Sequence, residues 1–569
     1  MRIRSRWAER ITVGNLVLVA CGLLVAWLVL VPVAALFYVA FTEQTIYGPG
    51  DFTIDNFVEA YGHLNILRLF GNSLIYAFGS SLLAFVLGAL IAWVVERTDA
   101  PLRGFFHNLA IVSFAVPGLL MAMSWTLVMS PNIGWANALL QDWFGLTKAP
   151  FNVYTMTGMI WVLGSHSFPL AYMLMGPAFR VLDIRMEEAA VVAGANNYQL
   201  ASRVTFPLLR PAMLSTLMLL FIRGIESFDV PRIIGMPARI PVFTTEIQDA
   251  TSSVPPELGT AASLSMTLLV VCLLSIFFYR RATADADAYA TVGAKGYIAT
   301  PVRLGKWRWP IGGGTLLLFS VMLGLPLFTL FWQSFFHNAA APSIARLATA
   351  NWDNYRYLFT YPVFREAAFD SISLGAMGAS IVCLLMFVIA WISQRSRMRF
   401  SWLIDALAFT PIAIPSVIVG ASVLFAYLIL PIPVYDTIWI LLIAYVTLFM
   451  PYGMRFASGG LAQISRELEE VAEISGANLL QTFRRVLLPL LAPVLIACWL
   501  YVFVLCVREL AASIFLAGAT THVLGTVSLT LWEGGGSLGA VCALGVVEVI
   551  PLVIIVAVMR RLENAIRPH

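Results

Sequence analysis

"EEAAVVAGANNYQLASRVTFPLLRP", from Glu187 to Pro211, sets a polar segment into an otherwise apolar chain, and "EEVAEISGANLLQTFRRVLLPLLAP", from Glu469 to Pro493, repeats its layout 282 residues later. In each copy Asp183 or Ser465 is placed to cap a short helix, Gly194 or Gly476 to end it in a left-handed turn, and Asn196 or Asn478 to start a second one. The spacing predicts two short helices lying against a membrane in each copy. A single copy reads equally well as a solvated amphipathic loop. Identical internal spacing in two places argues for one task performed twice.

The rest of the chain says what surrounds these hairpins. Of 569 residues 60% are apolar and only 12% charged, against about 25% charged in ordinary soluble proteins. Runs of about 20 apolar residues cross a hydrocarbon core of roughly 30 Å as helices, which satisfy their own backbone there. Such runs centre near residues 28, 82, 117, 165, 215 and 270, and again near 322, 380, 415, 446, 502 and 549, which predicts about twelve transmembrane helices.

The two sets of six match each other. "NSLIYAFGSSLLAFVLGALIAWVVERT" from Asn72 pairs with "DSISLGAMGASIVCLLMFVIAWISQRS" from Asp370, and Pro117 aligns with Pro415 at an offset of 298. The offset falls to 282 by Pro169 and Pro451, so the first half carries about 16 extra residues, placed most simply around "SPNIGWANALLQDWFGLTKAP". The expected fold class is an all-α integral membrane protein of two parallel six-helix repeats. The halves cover residues 1–282, with a hairpin at about 183–207, and 310–569, with a hairpin at about 465–489; a polar linker over 283–309 joins them.

Net charge is only +4, and the basic residues stand in short clusters between apolar runs. That distribution reports topology and gives no reason to expect a nucleic-acid partner. Assigning both termini, the linker and both hairpins to one side gathers most of the basic residues there, so that side is expected to be cytoplasmic. The apolar run after "MRIRSRWAER" is too long for a signal-peptide core and reads as a retained first helix. The six cysteines show no metal or redox spacing and read as small buried hydrophobes. "VGAKGY" at Val292 lacks the spacing and the hydroxyl residue of a phosphate-binding loop, and no H-E-x-x-H or G-x-S-x-G stretch occurs. No catalytic residue, cofactor or metal site is therefore expected, and ATP hydrolysis would fall to another polypeptide.

The hairpins carry a resemblance. Glu188-Ala189-Ala190, Gly194, Val204 and Phe206-Pro207, and again Glu470-Val471-Ala472, Gly476, Val486 and Leu488-Pro489, resemble the signature of permease subunits of binding-protein-dependent ABC importers. Val471 and Phe206 depart from its second alanine and its leucine. The double-length chain resembles the fused permeases of the iron(III) and thiamine importers, and "VRELAASIFL" from Val507 looks most like the iron(III) type. The resemblance implies a type I ABC importer permease of the bacterial inner membrane, with both termini cytoplasmic. Its partners would be two copies of a cytoplasmic ATPase, docked on the hairpins, and a periplasmic substrate-binding protein. Thiamine, polyamines and phosphonates are the alternative solutes. A major-facilitator-type transporter shares the twelve-helix duplication, but its basic-acidic loop after the second helix is missing here: "ERTDAPLRG" fills that place.

Ionisable groups inside a bilayer line a pathway or pair with one another. Glu226 and Glu509 fall in matching stretches of the two halves, each with an arginine, Arg223 or Arg508, on the same helix; Glu548 has no charged neighbour in sequence, and His166 sits in "GSHSFP". Pathway and packing roles both remain open for these four residues at this point.

Overall fold

The computed structural model describes residues 2–45, 48–63, 65–182, 184–283, 302–395, 401–534 and 536–566, and helices dominate them. The first half supplies α1 (Arg2–Ala40), α2 (Ile66–Arg97), α3 (Arg103–Ser113), α4 (Gly118–Met129), α5 (Met156–Val181), α6 (Phe206–Ile225) and α7 (Leu258–Thr283). The second supplies α8 (Gly305–Gln333), α9 (Pro362–Arg395), α10 (Ser401–Phe409), α11 (Ser416–Ile429), α12 (Ile438–Leu461), α13 (Leu488–Val507) and α14 (Leu538–Ile566). Most of the expected linker, and the expected cap Asp183, lie outside the described residues. The only strands among the described residues are β1 (Thr42–Thr45) and β2 (Gly48–Phe52), an antiparallel pair following α1.

Among the described residues nine helices are long and apolar enough to cross a membrane, and eleven spans result when each of two bent pairs counts as one. The twelfth expected span, near residue 165, is α5. Its 26 residues are long enough at about 1.5 Å each, but serines, His166 and two prolines make it less apolar than its neighbours. Protein shelters it: Met159, Val162, Phe168 and Ala171 are buried, and α2 forms its main packing partner.

The runs centred at 117 and 415 are broken spans, not straight ones. Helices α3 and α4 meet at 105°, and the α10 and α11 segments at 110°. Pro117 and Pro415 stand at the N-caps of α4 and α11. Proline lacks the N–H that an upstream carbonyl needs and pushes its preceding residue out of the helical region, so a continuous helix cannot run through either site. Consecutive residues from Gly118 to Val128 are all buried, and the matching run in α11, Val417–Tyr427, is buried as well. Helices apolar all round belong in a core.

Each half lends its first helix to the other. Helix α1 packs against α11, α9 and α10 as well as α7 of its own half; Trp27 Nε1 donates to the Tyr427 hydroxyl at 3.2 Å, and Thr447 Oγ1 to the Leu28 carbonyl at 3.4 Å. In return α8 lies on α4, with Phe319 stacked on Phe106 of α3 at 5.8 Å. Lipid is as apolar as leucine, so shape-matched packing and such hydrogen bonds hold these helices together in place of a hydrophobic driving force. The extra residues of the first half fold as the helix Trp135–Phe144, whose Trp135 Nε1 donates to Thr329 Oγ1 of α8 at 3.2 Å. Five of the six cysteines are buried and Cys21 half-buried; Cys383 and Cys498 bring their sulfurs to 3.3 Å, a proximity their sequence spacing did not announce.

Candidate functional site

The repeated motifs fold alike. Helices Ile184–Val192 and Arg466–Ile474 end at Gly194 and Gly476, whose φ angles are 88° and 84°. Only glycine enters that left-handed region without a Cβ penalty. Each turn closes with the same bond, Ala195 N–H to the Ala190 carbonyl at 2.9 Å and Ala477 N–H to the Ala472 carbonyl at 3.0 Å. The asparagines then cap as the sequence suggests. Asn196 Oδ1 accepts from the Gln199 N–H at 2.8 Å while Gln199 Oε1 accepts from the Asn196 N–H at 3.0 Å; in the second copy Asn478 and Gln481 do the same, both at 2.8 Å.

The second short helix, however, is no separate element. Asn197–Leu200 passes through a wide turn, Ala201–Thr205, straight into α6, and Leu479–Thr482 passes through Phe483–Leu487 into α13. The wide turns end just before Pro207 and Pro489, each the second residue of its helix, where a missing N–H costs no helical bond.

Adjacent glutamates face opposite ways. Glu187 accepts from Arg97 Nη2 at the end of α2 and, at 2.8 Å, from Thr205 Oγ1. Glu469 accepts from Trp391 Nε1 of α9 at 3.1 Å, and the Trp391 ring lies 5.1 Å from that of Phe483. Neighbouring helix residues do not share a face, so Glu188 and Glu470 are left exposed. Ala189 is exposed and Ala190 half-buried, as are Val471 and Ala472 in the same order. Beside the exposed glutamates the copies present apolar side chains at equivalent positions, Met186, Val192 and Tyr198 in one and Leu468, Ile474 and Leu480 in the other. Val192 and Ile474 are 89% and 86% exposed, which marks a surface made for contact.

At the far ends of α6 and α13, between the halves, lies a cavity of about 210 Å³. The broken helices contribute Gly118 and Ser416 at the starts of α4 and α11; α5 contributes His166, and the ends of α6 and α13 bring Arg223 with Glu226 and Arg508 with Glu509. Three of the four expected intramembrane residues thus meet at one place. Glu548 does not line the cavity: it is buried in α14, and although Arg508 is a charge it senses, no ion pair within 4.0 Å joins them. Helices α6 and α13 align at an offset of 282, which sets Arg508 opposite Glu226 and Glu509 one residue beyond it.

Asp229, which the sequence reading passed over, is the further acid of this cavity. It opens the helical turn that follows α6 after the short break at Ser227 and Phe228, and a Cβ on Gly118 would come within 2.4 Å of its Oδ2, so the absent side chain at the start of α4 makes its place. It stands beside the start of α4, whose first N–H groups have no helical partner. Arg223 Nη1 holds Glu226 Oε1 at 2.5 Å, and Glu509 Oε1 accepts from the Ala512 N–H at 2.9 Å. Aromatic rings set the opposite wall, with Tyr501 stacked on Phe114 at 6.1 Å and Tyr452 at 5.7 Å from Tyr501.

The sequence that builds these hairpins and this cavity has known counterparts. The model of the binding-protein-dependent transport system inner membrane component matches residues 84–284 and again 386–569. The chain belongs to that family. It is a multi-pass inner-membrane permease component of an ABC importer, a class that works with an ATPase and a binding protein, and the ATPase is a separate subunit. This permease is 24% identical over 566 residues to the ferric transport system permease protein FbpB of Actinobacillus pleuropneumoniae, covering 98% of this chain and 79% of that one. It is 25% identical over 517 residues to the putative ferric transport system permease protein FbpB 1 of Haemophilus influenzae, covering 88% and 77%. Over 238 residues, 40% of this chain and 84% of the other, it is 31% identical to the putative 2-aminoethylphosphonate transport system permease protein PhnV of Salmonella paratyphi A.

Proposed function

We propose that this permease passes iron(III) or an iron complex from a periplasmic binding protein to the cytoplasm, driven by two copies of the ATPase docked on the two hairpins. The observation that carries the two-copy reading is the equivalence of the hairpin surfaces: an exposed glutamate and three apolar side chains recur at matching positions, on helices ended by the same left-handed glycine. Support for iron comes from the two ferric permeases, which are alike over most of the chain, whereas the phosphonate permease is alike over 40% of it.

In this reading residues 1–282 and 310–569 are the two permease halves, 283–309 is a cytoplasmic linker, and both termini are cytoplasmic. Glu188, Ala189, Ala190, Gly194 and Pro207, with Glu470, Val471, Ala472, Gly476 and Pro489, form the coupling elements. Each hairpin runs without a break into α6 or α13, and the far ends of those helices carry Arg223, Glu226, Arg508 and Glu509 of the cavity. Closure of the ATPases would therefore move the cavity walls through two continuous helices. Glu226, Glu509 and His166 belong to the pathway; Glu548 is a packing residue.

The test is reconstitution of the chain with its ATPase and receptor in proteoliposomes and measurement of ⁵⁵Fe(III) entry. ATP-dependent uptake that vanishes without the ATPase is the expected result. Uptake by the chain alone, or complete indifference to iron, would refute the proposal.

A further inference from the structure

We infer that cargo occupies the central cavity as an iron(III)–oxyanion complex, with an anionic oxygen on the guanidinium of Arg508, and not as a bare ferric ion. The inference rests on the reading of this chain as an iron importer and adds the chemical form of what is carried.

Two of the cavity's three acids already serve the protein: Glu226 is held by Arg223 at 2.5 Å, and Glu509 accepts from the Ala512 N–H at 2.9 Å. A bare trivalent cation needs several oxygen or nitrogen ligands converging on one point, as hard cations generally do. Among the described residues no group of three or more His, Cys, Asp or Glu stands close enough to hold a metal ion.

Arg508 is the opposite case. No carboxylate lies within 4.0 Å of it among the described residues; Nη1 donates to the Phe114 carbonyl, and the guanidinium carbon sits 4.9 Å from the centre of the Phe114 ring. Asp229, Glu509 and Glu548 lie in its electrostatic surroundings beyond that distance, and Arg223 adds a like charge. A guanidinium carries five N–H donors in a planar fork that matches carboxylate and phosphate oxygens. Arg508 lines the cavity with most of that fork uncommitted.

The charge balance narrows the cargo further. Three carboxyls and two guanidiniums line the space, so the carboxyls oppose a free anion and the guanidiniums oppose a bare trivalent cation. A small complex carrying both charges, a metal ion with its oxyanion ligand, meets both.

Dual-label uptake in proteoliposomes containing the chain, its ATPase and its receptor tests this. ⁵⁵Fe(III) is supplied with ³²P-phosphate, ¹⁴C-citrate or ¹⁴C-carbonate in separate runs, and ¹⁴C-labelled 2-aminoethylphosphonate without iron forms a further arm. Iron and one labelled anion should enter together in fixed ratio. Arg508→Gln should lower both at least tenfold with the ATPase still bound, and Arg508→Lys should restore part of the uptake. Iron entry unaccompanied by any of the anions would overturn the inference while leaving the iron importer intact; phosphonate entry with no iron entry would overturn both. Should Arg508→Gln fail to assemble, the wild-type chain in nanodiscs decides: iron(III) retained only when phosphate, citrate or carbonate is present would support the inference, and iron(III) retained equally well without any of these anions would refute it.

Discussion

Arg232 of the first half and Glu533 of the second form a two-bond ion pair, Nε to Oε1 at 2.6 Å and Nη2 to Oε2 at 3.0 Å. The remaining Nη1 of Arg232 donates to Gln248 Oε1 at 2.7 Å and Asp249 Oδ1 at 2.9 Å. Arg232 follows the cavity-lining Val230 by two residues, and Glu533 ends the helix Leu524–Glu533, so the pair joins the halves beyond the cavity, on the side away from the hairpins. Bidentate pairing gives geometric specificity as well as energy, but side chains 18% and 39% exposed limit its worth to about 1 kcal/mol. A latch of that strength can open in every cycle. Glu533→Gln should raise ATPase activity in the absence of the binding protein several-fold, and the exchanged pair Arg232→Glu with Glu533→Arg should bring it back toward the wild-type level. Unchanged basal ATPase activity in Glu533→Gln would rule the latch out.

The Arg97–Glu187 pair fastens the first hairpin to the end of α2, and Arg97 is only 4% exposed. Breaking a buried pair by removing one partner costs about 3–5 kcal/mol. Arg97→Ala should therefore loosen the first hairpin and reduce retention of the ATPase on purification. In the second half Trp391 supplies one neutral donor to the Glu469 carboxylate, and a hydrogen bond to a charged group is worth about 1.5–3 kcal/mol. Trp391→Phe should have the smaller effect; equal losses would show that the two hairpins are not held as these contacts imply.

Backbone strain alone governs the hairpin glycines. Nothing lies within 4 Å of a Cβ built on Gly194 or Gly476, so space is no obstacle, while the left-handed conformation costs most residues about 1–2 kcal/mol. Valine at either position should impair ATPase binding, and asparagine, which tolerates this conformation, should retain most of it. Equal behaviour of the valine and asparagine variants would contradict the role assigned to the turn.

Asp436 ties two loops together, accepting from the Thr520 N–H and the Thr521 hydroxyl, both at 3.1 Å. The backbone N–H of Thr520, more than any other contact, holds its carboxyl below the ordinary 3.8. A lowered carboxyl pKa contributes stability that is present above the unfolded value and is lost as pH falls through the folded one. Thermal unfolding followed as pH drops below about 4 should show a steeper loss for the wild type than for Asp436→Asn; parallel curves would remove Asp436 from the account.

The duplication and the hairpins were legible because polar residues in an apolar chain are few and their spacing is local. Glycine and asparagine announced their turns for the same reason. The cavity was legible only in part. Glu226 and Glu509 stood out as acids in apolar runs, but Asp229 was missed although "RGIESFDVPR" from Arg223 carries a second acid three residues after Glu226. Its place depends on the missing side chain of Gly118, over 100 residues away. Glu548 looked isolated, which left pathway and packing both open; α14 buries it outside the cavity. Pro117 and Pro415 were visible as an alignment, and their bends followed from the same proline chemistry. The exchange of α1 and α8 between halves rests on contacts such as Trp27 with Tyr427, which no local pattern encodes.

Cross-linking at the two hairpin tips measures the central claim most directly. Val192 and Ile474 are 89% and 86% exposed, more than any other large apolar side chain described on their helices, and the native cysteines are buried or half-buried, so Val192→Cys and Ile474→Cys offer sites with little background. A bifunctional thiol reagent applied to the assembled transporter should join an ATPase subunit at each position, and the double variant should carry two. An ATPase that binds the permease yet cross-links at neither tip, or a double variant that never carries more than one, would contradict the claim that the hairpins are paired docking elements.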